Sequence, residues 1–353
     1  MELVTYYLGA GASSGIYDLT GTDVATRAIP FGGYLGPALE EYSNTLSRMA
    51  QDESSAARLP FDVRSTIRSL HESLGPIISG LQQTTIDTFV KRTFLTTRDS
   101  EKLRGHKIAL ACAFKYWEYI RPRDKRYIDF ITSVTPVGLA REVALPANLR
   151  VVTWNYDLQF EDSIRDIYGM TVDEELVSQT CPTTIDRMAK FNKEKFSLFH
   201  LNGTCDKHIK RGKDNSPEFL REAAVNRMQF THDDVVKNTL EIAAAFEKRP
   251  DLEPSISYAW EPSPLYQTFQ RELLESIAST VAVVAIGYSF PFYNRAVDRE
   301  ILGSMTKLKK VYLQVPETDQ KEFRNRILAT VGREIDIVEI SDMRQFHIPY
   351  EFK

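Results

Sequence analysis

From Leu3 to Leu8 the chain reads LVTYYL, apolar and rich in strand-favouring residues, which predicts a short buried strand. Asp23 to Tyr42 is dense in Gly and Pro and predicts loop and broken helix. The period then lengthens: Val63, Ile67, Leu70, Leu74, Ile78 and Leu81 recur at helical spacing, with Gly75-Pro76 interrupting. Helical patterns continue from Lys107 to Ile120 and from Lys125 to Val134, so Glu53 to Ala147 reads as a helical insertion. Asn148 to Tyr156 and Phe196 to Leu201 restore strand character, and Glu218 to Lys248 reads as helix, with a capping box at Thr231-His-Asp-Asp234. The most apolar run, Thr280 to Phe290, is apolar at both parities, as a central parallel strand covered on both faces must be. Lys310 to Val315 and Ile335 to Ile340 follow as strands around a polar helix, Asp319 to Thr330. The alternation predicts an α/β fold with a doubly wound, mostly parallel sheet. Residues 1–52 and 148–353 form its discontinuous domain, and 53–147 the helical insertion.

Charge narrows the partners. Forty-four Lys plus Arg against 48 Asp plus Glu leave a formal charge of -4, without a long basic stripe interleaved with aromatics, which argues against direct nucleic-acid binding. No apolar run is long enough to span a bilayer and the first residues carry no leader pattern, so the expectation is a cytoplasmic protein. Cys112, Cys181 and Cys205, an odd number widely spaced, suit reduced thiols.

Four strand ends carry polar or glycine-rich residues. After the first strand comes GAGASSG, Gly9 to Gly15, where glycines allow backbone N–H groups to approach an anion and a following helix adds its dipole. The same turn also serves as a plain connection, and it lacks the third glycine of the dehydrogenase fingerprint, where Ser14 stands. In TWNYD, Thr153, Asn155 and Asp157 share one face if the strand persists; a local Asx turn is the alternative. FHLNGT sets His200 and Asn202 two residues apart, and GYSF closes the apolar run with Gly287 and Ser289.

GAGAS, TWNYD, an Asn-Gly segment after a strand and IGYSF, in this order, resemble the sirtuin-like NAD-binding family. IDTF, Ile86 to Phe89, and the stand-alone size resemble its bacterial antiphage-defence branch. The resemblance implies that Gly9, Ala10, Gly11 and Ser13 approach the pyrophosphate of NAD, and that Asn155 and Asp157, beside Thr153, hold the nicotinamide ribose and the attacking water. It implies further that Asn202 and Gly203 fix the ribose or the turn, and that Gly287 and Ser289 face the adenosine half. The chain has no paired Cys-x-x-Cys motifs of a zinc ribbon, so protein deacylation is less expected and no metal is expected. It also has Asn202-Gly203 where the family has His-Gly, leaving His200, two residues earlier, as the expected general base.

The chemistry asks little of an acid. Nicotinamide leaves NAD as a neutral molecule from a cation, so the site must orient water and remove a proton near neutral pH, tasks for a side-chain carbonyl and an imidazole. The expectation is an NAD hydrolase releasing ADP-ribose and nicotinamide. It would act as an NAD-depleting defence effector with a separately encoded regulatory partner, as a homo-oligomer. A nucleotide or ADP-ribose sensor without chemistry is the alternative from another class. His200 as a core histidine, Cys181, His200, Cys205 and His208 as metal donors, and Trp260, Glu261 and Tyr288 as pocket walls or core remain open alternatives. Lys207 to Lys213 reads as a solvated basic loop that can touch phosphate.

Overall fold

The structure, a computed structural model, describes residues 2–15, 29–30, 32–52, 59–136, 145–168, 180–181, 191–210, 218–219, 231–261 and 264–352. The strands of its main sheet are β1 (Leu3–Leu8), β2 (Leu149–Thr153), β3 (Thr180–Cys181), β4 (Ser197–His200), β8 (Thr280–Ile286), β9 (Lys310–Gln314) and β10 (Asp336–Ile340). All pairings are parallel, in the order β10-β9-β8-β1-β2-β4-β3. A three-stranded antiparallel sheet, β6-β5-β7, joins β5 (Lys207–Lys210), β6 (Glu218–Phe219) and β7 (Leu252–Pro254).

Alternation along β1 explains why both faces of the main sheet are dry. Val4, Tyr6 and Leu8 enter one layer with Val151, Leu198, Val284 and Ile286, covered by α5 (Lys125–Val134) and α6 (Gln159–Tyr168). Tyr7 enters the other with Val152, Phe199, Val283 and Leu313, covered by α8 (Pro264–Ile277), α9 (Arg295–Ser304) and α10 (Glu317–Val331). The fold is therefore α/β with a doubly wound parallel sheet, as the periodicity predicts.

The helical unit draws on more of the chain than 53–147. Its core unites α1 (Leu35–Gln51), α2 (Val63–Leu81), α3 (Ile86–Thr97), α4 (Ser100–Ile120) and α7 (His232–Lys248), whereas α5 belongs to the sheet. Side-chain caps start the helices: Asp62, Thr85, Asp99 and Asp124 each accept a first-turn N–H, and Thr231 with Asp234 forms the full capping box.

Three local expectations need correction. The expected broken helix at Tyr42 is a regular one from Leu35, because Pro37 lies in the first turn, where an N–H has no intrahelical partner anyway. Helix α2 runs unbroken through Gly75-Pro76, although the proline has no N–H to give to the helical ladder. Glu218–Phe219 is a strand, and α7 begins only at His232; residues 220–230 lie outside the described residues.

Candidate functional site

In the sheet order, the chain proceeds from β1 to one side through β2 and to the other through β8, so the reversal falls between β1 and β8. A crevice at such a point, beyond the strands' carboxyl ends, is where open α/β sheets bind ligands. A cleft of about 400 Å³ lies there, within the range of small-molecule sites. The sheet side supplies Gly9, Ala10, Gly11, Trp154, Asn155, Tyr156, Asp157, Asn202, Gly287, Tyr288 and Ser289; the helical unit supplies Ile86, Asp87 and Phe114. Asp319 and Phe323 of α10 also line it.

The glycine turn and the end of β8 cross at backbone contact. A Cβ on Gly9 would lie 2.6 Å from the Gly287 oxygen, one on Gly11 2.8 Å from the Gly287 Cα, and one on Gly287 2.5 Å from the Gly11 carbonyl carbon. Gly287 is also left-handed, with φ +57°. The amides are used in the same crossing: Gly9 N–H donates to Ile286 O (3.0 Å) and Gly11 N–H to Gly287 O (3.1 Å). The amides of Gly9 and Gly11 are thus taken up in knitting β1 to β8, while both residues and the exposed Ala10 line the cleft. Behind the turn, Arg126 Nη2 donates to Gly11 O (3.0 Å) and Ala12 O (3.2 Å) while paired with Asp124. Gln159 Nε2 donates to Ser13 O (2.8 Å), and Gly15 N–H to Asp124 (2.9 Å).

Ser13 faces inward rather than lining the cleft. Its Oγ accepts from Asn155 Nδ2 (2.9 Å), donates to Asp157 Oδ1 (3.0 Å) and meets the Tyr127 hydroxyl (2.8 Å). Asn155 Nδ2 also donates to the Gly9 carbonyl (3.0 Å), and because a carbonyl only accepts, the amide's orientation is fixed, with Oδ1 left as its acceptor; the residue lines the cleft. Asp157 Oδ1 takes a second bond from Gln159 N–H (3.1 Å). Burial pushes the Asp157 carboxyl up to about 7, and the bonds from Gln159 and Ser13 offset that only in part. A second carboxyl lies beneath the floor: burial raises Asp298 to about 7, and it accepts from Tyr7 Oη (2.5 Å) and Tyr288 Oη (2.9 Å). Asp87 is raised too, by burial, and accepts from Ala259 N–H (3.2 Å).

The other expected residues divide. Asn202, Gly287, Tyr288 and Ser289 line the cleft. Thr153, Asn155 and Asp157 do not share a strand face, because β2 ends at Thr153, whose Oγ1 accepts from Asn155 N–H (3.0 Å); Thr153 shapes the turn. Gly203 does not contact the cleft: at φ +74° its backbone packs on β7's exit, where a Cβ would lie 2.0 Å from Ser255 O. His200 is corrected most. Strand β4 ends at His200 and the chain turns at Leu201, so Asn202 reaches the cleft while His200 stays buried at 1 % exposure. Its Nδ1 lies 3.0 Å from Asn155 O and its Nε2 2.8 Å from Glu161 Oε1.

Cys205 Sγ donates to Glu118 (3.2 Å), Cys181's side chain is outside the described residues, and no group of three or more His, Cys, Asp or Glu is placed to hold a metal among those described. Trp260 stacks on Tyr258 and Phe94 rather than lining the main cleft, and Glu261 borders a small adjoining cavity. Lys207–Lys210 is the buried strand β5, not a solvated loop; Arg211 to Lys213 lie outside the described residues. Sequence reading missed Asp87, Phe114, Asp124, Arg126, Tyr127 and Gln159, which reach the site only through tertiary packing; a capping Asp124 before a buried Arg126 carried no local signal.

Among the described residues no helix is long and apolar enough to cross a membrane. A scan against protein-family models finds no match, and a search of curated proteins finds none.

Proposed function

We propose that the chain hydrolyses the N-glycosidic bond of NAD, releasing nicotinamide and ADP-ribose. The observation that carries this reading is Asp157, a cleft carboxyl raised to about 7, held beside the fixed amide of Asn155 at the sheet's switch point. Water accepted by Asn155 Oδ1 is aimed at the ribose C1. Its oxygen forms the new C–O bond as the C–N bond breaks, the bonding pair passes to the pyridinium nitrogen, and the water's proton goes to the Asp157 carboxylate. The pyridinium takes up its own charge on leaving, so no acid acts.

The cleft's charge supports the cationic end of such a ligand. Its described lining holds Asp87, Asp157 and Asp319, with aromatic faces from Phe114, Trp154, Tyr156 and Tyr288, and no Lys or Arg. A pyridinium suits carboxylates and aromatic rings together. The resemblance to sirtuin-like defence proteins extends the reading to an NAD-depleting, cytoplasmic antiphage effector, a homo-oligomer switched by a separately encoded partner.

Chromatography of NAD incubated with the protein, alone and with lysate of infected cells, tests the activity. Equimolar nicotinamide and ADP-ribose are expected, lost on Asn155→Ala. Unchanged NAD under both conditions, with ADP-ribose binding retained, would replace hydrolysis by a sensing role.

A further inference from the structure

Behind the cleft, every residue of the Asn155–Leu158 loop is tied to a buried group. Asn155 O meets His200 Nδ1 (3.0 Å), Tyr156 O accepts from Cys205 N–H (2.9 Å), Asp157 Oδ1 accepts from Gln159 N–H (3.1 Å), and Leu158 N–H donates to Glu118 Oε1 (2.9 Å). The two partners of the His200 ring are both acceptors, a main-chain carbonyl and the Glu161 carboxylate. With Glu161 ionised, each ring nitrogen carries a proton, and an imidazolium has no lone pair with which to take another. His200 and Glu161 are 1 % and 4 % exposed, and neither lines the cleft.

We infer that His200 and Glu161 are a positioning pair: the imidazolium, held by Glu161, fixes the Asn155 carbonyl and through it the angle at which Asn155 and Asp157 face the ligand. This rests on the cleft being the reactive site and deepens that reading, since it leaves the proton to Asp157. Burial opposes charge on His200, but Glu161 and the Asn155 carbonyl raise its pKa above the ordinary histidine value. The charged groups around the ring are Glu161 on α6, Asp157 on the loop, Asp206 before β5 and Lys207 on β5; the carboxylates favour the imidazolium and Lys207 opposes it.

The test separates the ring's hydrogen bond from its titration. In His200→Asn the side-chain amide can still donate to Asn155 O but cannot titrate; in His200→Ala nothing donates. Hydrogen–deuterium exchange of the 154–160 peptide should be about tenfold faster in His200→Ala and near wild type in His200→Asn. Nicotinamide release should follow the same order, with kcat falling about 10- to 100-fold in His200→Ala, KM little changed, and kcat restored to within about threefold in His200→Asn. Loop exchange unchanged in His200→Ala, or His200→Asn as inactive as His200→Ala with the loop fully protected, would overturn the inference. Should His200→Ala not fold, nitrogen-labelled histidine in the wild-type chain decides: both His200 N–H resonances should persist at pH values above the ordinary histidine pKa, and a ring titrating with one free nitrogen at the ordinary histidine value overturns it. If wild-type protein leaves NAD intact, the functional reading fails, while the exchange and resonance measurements still decide whether His200 holds the loop.

Discussion

In the proposed reaction, Asp157 sets activity and stability against each other. Its folded pKa, about 7, lies above the ordinary 3.8, so folding favours the protonated carboxyl. The sign follows by linkage: its stabilising contribution is complete below about pH 4 and is lost as pH rises through about 7. If Asp157 is the base of the proposed hydrolysis, activity runs the opposite way, since a base must be ionised, and kcat should climb through the same interval. Asp157→Asn keeps an oxygen to accept from Ser13 and Gln159 but cannot ionise. It should lower kcat by about 10²- to 10⁴-fold and stabilise the fold at pH 8 by on the order of 2–4 kcal/mol, with little change at pH 4. Urea unfolding at the two pH values checks this; equal stability of mutant and wild type at pH 8 would show that the carboxyl is not held against ionisation. His200 shows how residue-scale reading fails. Period-two alternation places His200 and Asn202 on one face only while the strand lasts, and β4 stops at the histidine itself.

At the scale of elements, the cleft exists because two strand ends touch. The run Thr280–Phe290 was legible as a central strand since both its parities are apolar, and GAGAS was legible as a turn at the end of β1. That these glycines serve mainly each other was not, because the contact joins positions far apart in the chain and only tertiary packing reveals it. The same limit hid Arg126 of α5, which donates to the turn's carbonyls, its N-cap Asp124, which accepts from the Gly15 N–H, and Asp87, which arrives on α3. Helices were legible where apolar spacing was regular and misjudged where Gly or Pro stood at a tolerated position, as at Pro37 and Pro76. Gly287→Ala combines a left-handed φ with a Cβ placed 2.5 Å from the Gly11 backbone. It should cost about 2–4 kcal/mol and separate the β1 and β8 ends. Gly303→Ala, near the end of α9 with nothing within 4 Å of its Cβ, is the control and should gain up to about 1 kcal/mol. Thermal melts of the pair distinguish a crossing that demands glycine from a general sensitivity of the sheet; similar losses in both would point to the latter.

Across the whole molecule, the helical unit completes a cleft that the sheet opens. The sheet brings Asn155 and Asp157; the helical unit brings Asp87 and Phe114 to the same space. Alternating periodicities made the doubly wound sheet readable from sequence, whereas the joining of α1 and α7 to the insertion's helices depends on apolar stripes whose partners no local pattern names. If the cleft's carboxylates and rings receive a pyridinium, ligand charge should register in the stability of the fold. Binding to the native state alone stabilises by about 2.7 kcal/mol at a ligand concentration of 100 Kd. The Asp157→Asn protein, expected to turn NAD over slowly if at all, allows oxidised and reduced forms to be compared at equilibrium. NAD, with its cationic ring, should raise the melting temperature more than NADH, whose ring is neutral. Adding Asp87→Asn should remove most of that difference, since burial already holds the Asp87 carboxyl above its ordinary value and an approaching cation draws it into the ionised form. The preference for NAD should therefore also strengthen as pH rises. Equal shifts for the two forms, unaffected by Asp87, would mean that the helical unit's side of the cleft does not meet the nicotinamide ring.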